Sequence, residues 1–368
     1  MIVENGISIY PGLDNTLEEN LNLIDLAAGH GIKRLFTSLH IPETKKDDFR
    51  KELGILMKAA RKHHMEIISD ISPRTLDILG IPEFNLSAFR MTGIRTLRLD
   101  YGYSIQEIAE FSRNKQGLRI QLNASTITGK LLTALTQADT DFSNMDALHN
   151  FYPRPGTGLG EDTLLRKTVM LHKIGVRVGA FVPGTKKRRG PLFDGLPTME
   201  DHRDLDPVLA ARHLVALGID SVFIGDSLPE EREIRGLADL REDHIIIKAR
   251  LLTSDPVQRE LLGHAFTARV DEARDAIRAQ ESRGLVSGPI YPENTRERQP
   301  GDVTIDNEGY LRYMGELEII KTPQPADSRT NVVARILPED IFLLDYITPG
   351  RKFSFLFDEC SSDNFTDF

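Results

Sequence analysis

The chain has 368 residues, 40% of them hydrophobic and 27% charged, which is enough for a substantial core and for two domains. Its formal net charge of −9 gives no general reason to expect nucleic acid or an anionic membrane as a partner. The single cysteine, Cys360, excludes an intrachain disulfide and cannot by itself form a thiolate metal site. The start of the chain has no basic segment before a long apolar one, and no stretch approaches the roughly 18 apolar residues of a spanning helix, so we expect a cytoplasmic protein.

Short strand-like runs alternate with loops and amphipathic helices through the first 240 residues. The helix predicted over 16–31, for example, has Leu17, Leu21, Ile24 and Ala28 at helical spacing. Eight such βα units match the length of a (β/α)8 or TIM barrel, whereas a doubly wound sheet seldom needs eight evenly repeated units. The predicted strands are 6–12, 33–42, 65–72, 93–102, 118–125, 144–154, 176–184 and 220–228.

The pattern changes after residue 240, where strand-like runs follow one another with few long helices between them. Residues 301–319, GDVTIDNEGYLRYMGELEI, predict a hairpin that turns at Asn307–Gly309. The remaining stretch of about 125 residues has an ordinary domain size. The sequence therefore predicts an α/β protein with a TIM-barrel domain over 1–240 and a small β-rich domain over 241–368.

One apolar run, IRTLRLDYG, ends on a lone carboxylate, Asp100, instead of an ordinary turn residue. In barrel enzymes, functional side chains stand at the carboxyl ends of the strands, where the βα loops gather. A single aspartate there can equally cap the next helix, but several polar ends at one mouth favour an enzyme or a sugar-binding barrel. The polar side chains at predicted strand ends are Tyr10, Ser38, His40, Asp70, Asp100, Asn123, Asn150, Tyr152 and Asp226.

Several of these strand ends carry longer motifs. The segments ISIYPG, LFTSLHIPE, ISDISP, LRLDYG, LNAS and HNFYPRPGTGL, together with the hairpin sequence near the end, span almost the entire chain. In this combination the chain resembles the 6-phospho-N-acetylmuramidases, the MupG-like glycosidases. The resemblance implies a TIM barrel followed by a cyclophilin-like β domain. It also implies cytoplasmic hydrolysis of the β-1,4 bond between N-acetylmuramic acid 6-phosphate and N-acetylglucosamine during peptidoglycan recycling.

Such a reaction needs a proton for the leaving oxygen and a group that stabilises positive charge at the anomeric carbon, and two carboxyl groups usually supply both. Asp70 and Asp100 end neighbouring predicted strands, about 4.8 Å apart at the backbone, so we expect them to be the catalytic pair. Asp226 and Glu43 are the alternatives. The 2-acetamido oxygen of the implied substrate can itself attack the anomeric carbon, in which case one carboxylate orients the amide and the other is the acid.

The implied disaccharide carries a phosphate and a lactyl carboxylate, so cationic groups are expected near the mouth. Arg154 lies in FYPRPGTGLGED, beside glycine amides that could hold an oxyanion. The loop PGTKKRRG offers residues 186–189, and Arg296 and Arg298 lie in the second domain, although such charge runs are often only solvated loops. The expected substrate-binding residues are Tyr10, Ser38, His40, Asn123, Asn150, Tyr152, Arg154 and Arg296.

A second class of function stays open, namely another carbohydrate-processing barrel or one that binds a sugar phosphate without hydrolysing it. An aldolase would need a Schiff-base lysine or a metal at the strand ends, and no predicted strand ends on lysine. His40 and His149 have no companion at metal-ligand spacing, and a G-x-S-x-G nucleophile motif is absent. We therefore expect no metal or cofactor, and a phosphorylated amino-sugar disaccharide as the partner. The oligomeric state is left open.

Overall fold

The computed structural model describes residues 4–38, 46–71, 75 and 85–357. The chain divides into two compact units, Met1–Glu242 and Asp243–Phe368. Two of the predicted site residues, His40 and Glu43, lie outside the described residues.

The first unit is a closed barrel of eight parallel strands. Each strand pairs with the next one along the chain, and the last pairs with the first through Gly6–Phe223 and Ile7–Ile224. The predicted TIM barrel is therefore confirmed. The strands are β1 (Gly6–Ile9), β2 (Arg34–Ser38), β3 (Glu66–Ile71), β4 (Thr96–Leu99), β5 (Arg119–Asn123), β6 (Met145–Leu148), β7 (Arg177–Val182) and β8 (Ser221–Ile224).

Helices connect these strands, and side chains cap the first turn of several of them. Thr16 accepts from the amide of Glu19 at 3.1 Å, and the Glu19 carboxylate accepts from the amide of Thr16 at 2.8 Å, which starts the first helix. The helices of the barrel are α1 (Leu17–Gly29), α2 (Lys46–Lys62), α3 (Leu86–Thr92), α4 (Ile105–Ser112), α5 (Gly129–Gln137), α6 (Glu161–His172), α7 (Pro207–Ala216) and α8 (Glu231–Ala238).

The fully buried residues of α1 are Asn20, Leu23, Ile24 and Ala27, so of the four apolar residues noted at helical spacing only Ile24 is fully buried. The physical reason is that apolar residues occupy more than half of this helix, so their spacing does not locate the centre of the buried face.

Side chains fill the barrel in layers. At the amino end, Arg34 donates to Asp146 at 2.6 Å and pairs with Glu66 at 3.1 Å. The next layer is apolar and contains Phe36, Ile68, Leu148, Phe181 and Phe223. Polar residues beyond this layer are consequently left at the carboxyl ends of the strands, where barrels carry their sites.

The second unit is built on a seven-stranded sheet in the order β10-β15-β9-β14-β12-β13-β11. β15 runs parallel to β9, whereas the other pairs are antiparallel. A β-rich second domain is thus confirmed, and its likeness to cyclophilin stays a prediction. The elements are β9 (His244–Leu251), α9 (Pro256–Leu262), β10 (Ala265–Thr267), β11 (Ala276–Arg278), β12 (Asp302–Asp306), β13 (Leu317–Ile320), β14 (Thr330–Ile336) and β15 (Lys352–Phe357).

The predicted hairpin exists, but its turn is longer than expected. β12 and β13 pair antiparallel, and residues 307–316 connect them through a 3₁₀ segment, Glu308–Tyr313, with Leu311 at φ 55°. The Asn307 side chain accepts from the amide of Gly309 at 3.0 Å and donates to the Ser328 carbonyl at 2.9 Å. Asn307 therefore starts a helical turn here instead of forming a two-residue hairpin turn.

Asp306, at the end of β12, makes the stability of the second unit depend on pH. Burial raises the pKa of Asp306 to about 7, with a smaller contribution from the nearby carboxylates Glu318 and Glu316, against a hydrogen bond from Thr330 at 3.0 Å. Because this folded-state pKa lies above the unfolded value of about 3.9, the folded state binds the extra proton between about pH 4 and pH 7. The stability contribution of Asp306 therefore falls as the pH rises through that window.

Asp306→Asn is expected to remove this pH dependence and to make the second unit more stable than wild type at pH 8, by on the order of 1 kcal/mol. Calorimetric unfolding of the full chain at pH 5 and pH 8 measures the change. Glu308→Gln, which removes an exposed carboxylate nearby, serves as the control. The same pH dependence in wild type and Asp306→Asn would contradict this role.

Candidate active site

A cavity of about 510 Å³ opens at the carboxyl ends of the barrel strands. One side is polar and carries Ser38, Asp70, Arg98, Asp100 and Asn150. The other side is mainly apolar and is closed by part of the loop that follows β7. Its lining residues are Phe36, Phe151, Pro153, Phe181, Arg189, Gly190, Pro191 and Leu192.

Arg98 joins the two carboxylates of the cavity. Its Nη1 donates to Oδ1 of Asp70 at 2.6 Å and lies 3.7 Å from Oδ1 of Asp100. Its Nη2 donates to the Asn150 side chain at 2.6 Å and to the Leu148 carbonyl at 3.2 Å. Because the Arg98 side chain is only 4% exposed, its charge is balanced by these groups and not by water.

The strand register explains this arrangement. Asp70 on β3 pairs with Arg98 on β4 in the strand register. Asp100 lies two residues after Arg98, directly beyond the end of β4. Since alternate residues of a strand share a face, Arg98 and Asp100 point to the same side. Asp70 and Asp100, expected at neighbouring strand ends, do line one cavity, but the residue beside Asp70 is an arginine that was not among the sequence-based candidates.

Neutral side chains form hydrogen bonds with residues on the polar side of the cavity. Asn123 donates to Oδ1 of Asp100 at 3.3 Å. The Ser125 hydroxyl accepts from the amide of Asn150 at 2.9 Å and lies 3.2 Å from Nδ1 of His149. Burial, helped by the charges of nearby cations, lowers the pKa of His149 to about 3, so this imidazole stays neutral. Asn123 and Asn150 are thus held beside the carboxylates.

Arg189 contacts two aromatic rings on the opposite side of the cavity. Its guanidinium carbon is 4.8 Å from the centroid of Tyr10 and 4.8 Å from that of Phe151. The Tyr10 hydroxyl donates to the Gly225 carbonyl at 2.7 Å, which fixes this ring. Burial raises the pKa of Tyr10 to about 12, so the phenol is neutral. Tyr10 therefore supports Arg189 and is not among the residues that line the cavity.

Asp226 shapes the loop that carries Arg189. Its fully buried carboxylate accepts from the amides of Gly184 and Arg189, both at 2.9 Å, and of Leu196 at 3.2 Å. Burial raises the pKa of Asp226, and the three amides oppose that rise. Both oxygens are used in holding the loop, and Asp226 is not part of the cavity lining.

Backbone amides of the glycine-rich segment after β6 already bind a carboxylate of the protein. The Glu200 carboxylate accepts from the amides of Gly156 at 2.8 Å and Gly158 at 2.6 Å. The Arg203 guanidinium and these amides lower the pKa of Glu200 to about 2, so it remains ionised. The amides that were expected to hold a substrate oxyanion are therefore occupied, and Arg154 in the same segment is exposed and outside the cavity lining.

Two further predicted residues lie away from the cavity lining. Tyr152 is fixed through its backbone, with its amide donating to the Pro197 carbonyl at 2.9 Å and its carbonyl accepting from Arg203 at 2.9 Å. Arg296 belongs to the second unit, where it pairs with the buried carboxylate of Asp302 at 3.2 Å.

Among the described residues, no three His, Cys, Asp or Glu side chains are grouped so that they could hold a metal ion. In the same part of the chain, no helix has the length and apolar character needed to cross a membrane.

Barrel enzymes that cleave glycosidic bonds usually work with two carboxyl groups, and a cavity with Asp70 and Asp100 on one side fits that class, the barrel glycosidases. Sequence models of one family match both units. The model of the 6-phospho-N-acetylmuramidase N-terminal region matches residues 5–239, and that of the C-terminal region matches residues 245–356. The chain belongs to the 6-phospho-N-acetylmuramidase family, which consists of glycosidases of peptidoglycan recycling.

Two solved structures match the chain over nearly its whole length. An uncharacterized B. cereus protein is 31% identical, with a TM-score of 0.83, over 97% of this chain and 100% of the other. A conserved Enterococcus faecalis protein with an unknown function is 34% identical, with a TM-score of 0.67, over 96% of each chain. A search of curated proteins gave no match.

Proposed function

We propose that the barrel unit hydrolyses the β-1,4 bond between N-acetylmuramic acid 6-phosphate and N-acetylglucosamine in the cytoplasm. Family membership supports a phosphorylated muramic acid sugar as the substrate. The observation that carries the assignment to the barrel is that Asp70 and Asp100 line one cavity and contact the same nitrogen of Arg98.

The two carboxyl groups have different surroundings, and this supports different roles. Asp70 is 10% exposed and forms the shorter ion pair with Arg98, which stabilises it as a carboxylate. Asp100 is 27% exposed and 3.7 Å from Arg98. We assign Asp100 as the general acid that protonates the leaving oxygen, and Asp70 as the carboxylate that orients the acetamido group and stabilises positive charge at the anomeric carbon.

The spacing of the carboxylates argues against an inverting mechanism, and we assign the acetamido oxygen of the substrate as the nucleophile of a retaining one. Because both Oδ1 atoms contact Nη1 of Arg98, at 2.6 and 3.7 Å, these two oxygens lie within about 6.3 Å of each other. Inverting enzymes hold their carboxyl groups roughly 6.5–9.5 Å apart, so that a water fits between them and the sugar. In the step favoured here, the amide oxygen bonds to the anomeric carbon as the glycosidic oxygen leaves with the proton of Asp100. A water then bonds to the anomeric carbon and gives a proton to the Asp100 carboxylate, while the bond between that carbon and the amide oxygen breaks and restores the acetamido group.

This sequence of two displacements predicts that the anomeric configuration is retained. Proton NMR of the early reaction should show N-acetylmuramic acid 6-phosphate appearing first as the β anomer, before mutarotation. The α anomer as the first product would contradict the proposed attack and would favour direct displacement by water.

Incubation of the purified full chain with the 6-phosphorylated disaccharide, in the presence of a chelator, tests the proposed function. We expect release of two monosaccharides at a rate that the chelator does not change, and much slower cleavage of the unphosphorylated disaccharide. Tight binding of the phosphorylated disaccharide without turnover would contradict hydrolysis and indicate a sugar-phosphate-binding barrel.

A further inference from the structure

Arg189 differs from Arg98, the other cation among the lining residues, in having no carboxylate partner in the part of the chain that the structure describes. Arg98 is paired with Asp70 and Asp100, whereas no carboxylate in the described part of the chain forms an ion pair with Arg189. Its guanidinium carbon lies 4.8 Å from the ring centroids of both Tyr10 and Phe151. These ring contacts hold the guanidinium at the cavity and leave its charge available to a ligand there.

Neighbouring cations of the same loop are already used. Lys187 donates to the Glu19 carboxylate at 2.8 Å, and Arg188 donates to the Arg203 carbonyl at 3.2 Å. Lys186 is exposed and does not line the cavity. Of the four basic residues at 186–189, Arg189 alone lines the cavity.

The chain also holds the backbone of Arg189 in place. The buried carboxylate of Asp226 accepts its amide at 2.9 Å, and the next amide, that of Gly190, donates to Asp14 at 3.0 Å. These bonds position the guanidinium before any ligand arrives, which reduces the entropy lost on binding.

We propose that Arg189 binds the 6-phosphate of the substrate, and this inference rests on the proposed function. A planar guanidinium can donate two parallel hydrogen bonds to phosphate oxygens. Barrels often bind phosphate at the loops that follow strands 7 and 8, and Arg189 lies in the loop after β7. Phosphate also carries more negative charge than the lactyl carboxylate of the same sugar, so it gains more from an unpaired cation.

Affinities for three sugars distinguish the contribution of the phosphate from that of the lactyl carboxylate. N-acetylmuramic acid 6-phosphate has both anions, N-acetylglucosamine 6-phosphate has only the phosphate, and N-acetylmuramic acid has only the carboxylate. We expect Arg189→Met to weaken binding of both phosphorylated sugars by about ten- to a hundredfold and to leave binding of N-acetylmuramic acid nearly unchanged. Lys186→Met, which removes a charge from the same loop, should bind all three sugars like wild type.

Arg189→Lys keeps the charge without the planar donor pair and should lose affinity for the phosphorylated sugars to a smaller extent, which provides a second variant if the methionine variant does not fold. A loss confined to sugars with the lactyl group, an equal loss for all three sugars, or unchanged binding would each overturn the proposal. Hydrolysis by wild type is measured separately. If wild type cleaves the disaccharide but Arg189 variants keep their phosphate preference, the proposed function stands and this inference fails.

Discussion

Asp70→Asn and Asp100→Asn are each expected to lower kcat by about 10²–10⁴-fold while the barrel stays folded. Each change removes a carboxyl group but keeps its size and much of its hydrogen-bonding capacity. In the proposed mechanism, Asp100→Asn cannot give a proton to the leaving oxygen, and Asp70→Asn loses the charge assigned to stabilising the anomeric carbon. Initial rates on the phosphorylated disaccharide, with circular dichroism to check folding, measure both effects.

A substrate whose leaving group needs no proton distinguishes the two roles. On an aryl glycoside of N-acetylmuramic acid 6-phosphate with an acidic phenol, Asp100→Asn should recover most of its rate, whereas Asp70→Asn should not. Asp162→Asn, which changes an exposed aspartate on α6, should behave like wild type. Near-wild-type turnover in both site variants would remove this pair from the mechanism and direct attention to Glu43.

Arg98→Met should have the largest effect on stability, because it removes the ion pair that Arg98 forms with the buried Asp70 carboxylate at 2.6 Å. Removing one member of a buried ion pair typically costs about 3–5 kcal/mol. The same change should lower kcat, since Arg98 also holds the Asn150 side chain at 2.6 Å. Chemical denaturation followed by circular dichroism measures the loss in the free energy of unfolding.

The double variant Asp70→Asn/Arg98→Met tests whether the loss comes from the unpaired charge. With Asp70 replaced by a neutral amide, the Arg98→Met change should cost clearly less than it does alone, so the two effects should not add. Additive losses would mean that Arg98 stabilises the barrel through packing and through its bonds to Asn150 and Leu148, and not through Asp70.

The barrel could be predicted from the sequence because the alternation of strand and helix patterns repeats eight times. The strand lengths could not. The sixth predicted strand, 144–154, contains a real strand of only four residues, Met145–Leu148. An apolar run shows where a chain can be extended and buried, but the end of a strand is set by the hydrogen bonds of its neighbours.

The candidate site was predicted in part. Asp70, Asp100, Ser38 and Asn150 do line one cavity, although their roles stay predictions. Arg98 could have been found from the alternation in TLRLD, since it lies two residues before Asp100 and so shares its face.

No local pattern could have shown that Glu200 fills the glycine amides near Arg154. The carboxylate comes from more than 40 residues further along the chain. The contact of Arg189 with Tyr10 and Phe151 is equally non-local, because the loops after strands 1, 6 and 7 bring these residues together. Contacts of this kind depend on barrel closure and cannot be read from spacing alone.

The strand orders of the two units have a consequence for the growing polypeptide. Every strand of the barrel, including the β1–β8 pair that closes it, is contained in residues 6–224, so its strand pairing requires no segment of the second unit. In the second unit, β9 is the first strand to leave the ribosome, yet one of its two partners is β15, which ends at Phe357. Its other partner, β14, is also made late, so both edges of β9 stay without a native partner through most of the synthesis of this unit, which leaves the strand open to wrong pairing.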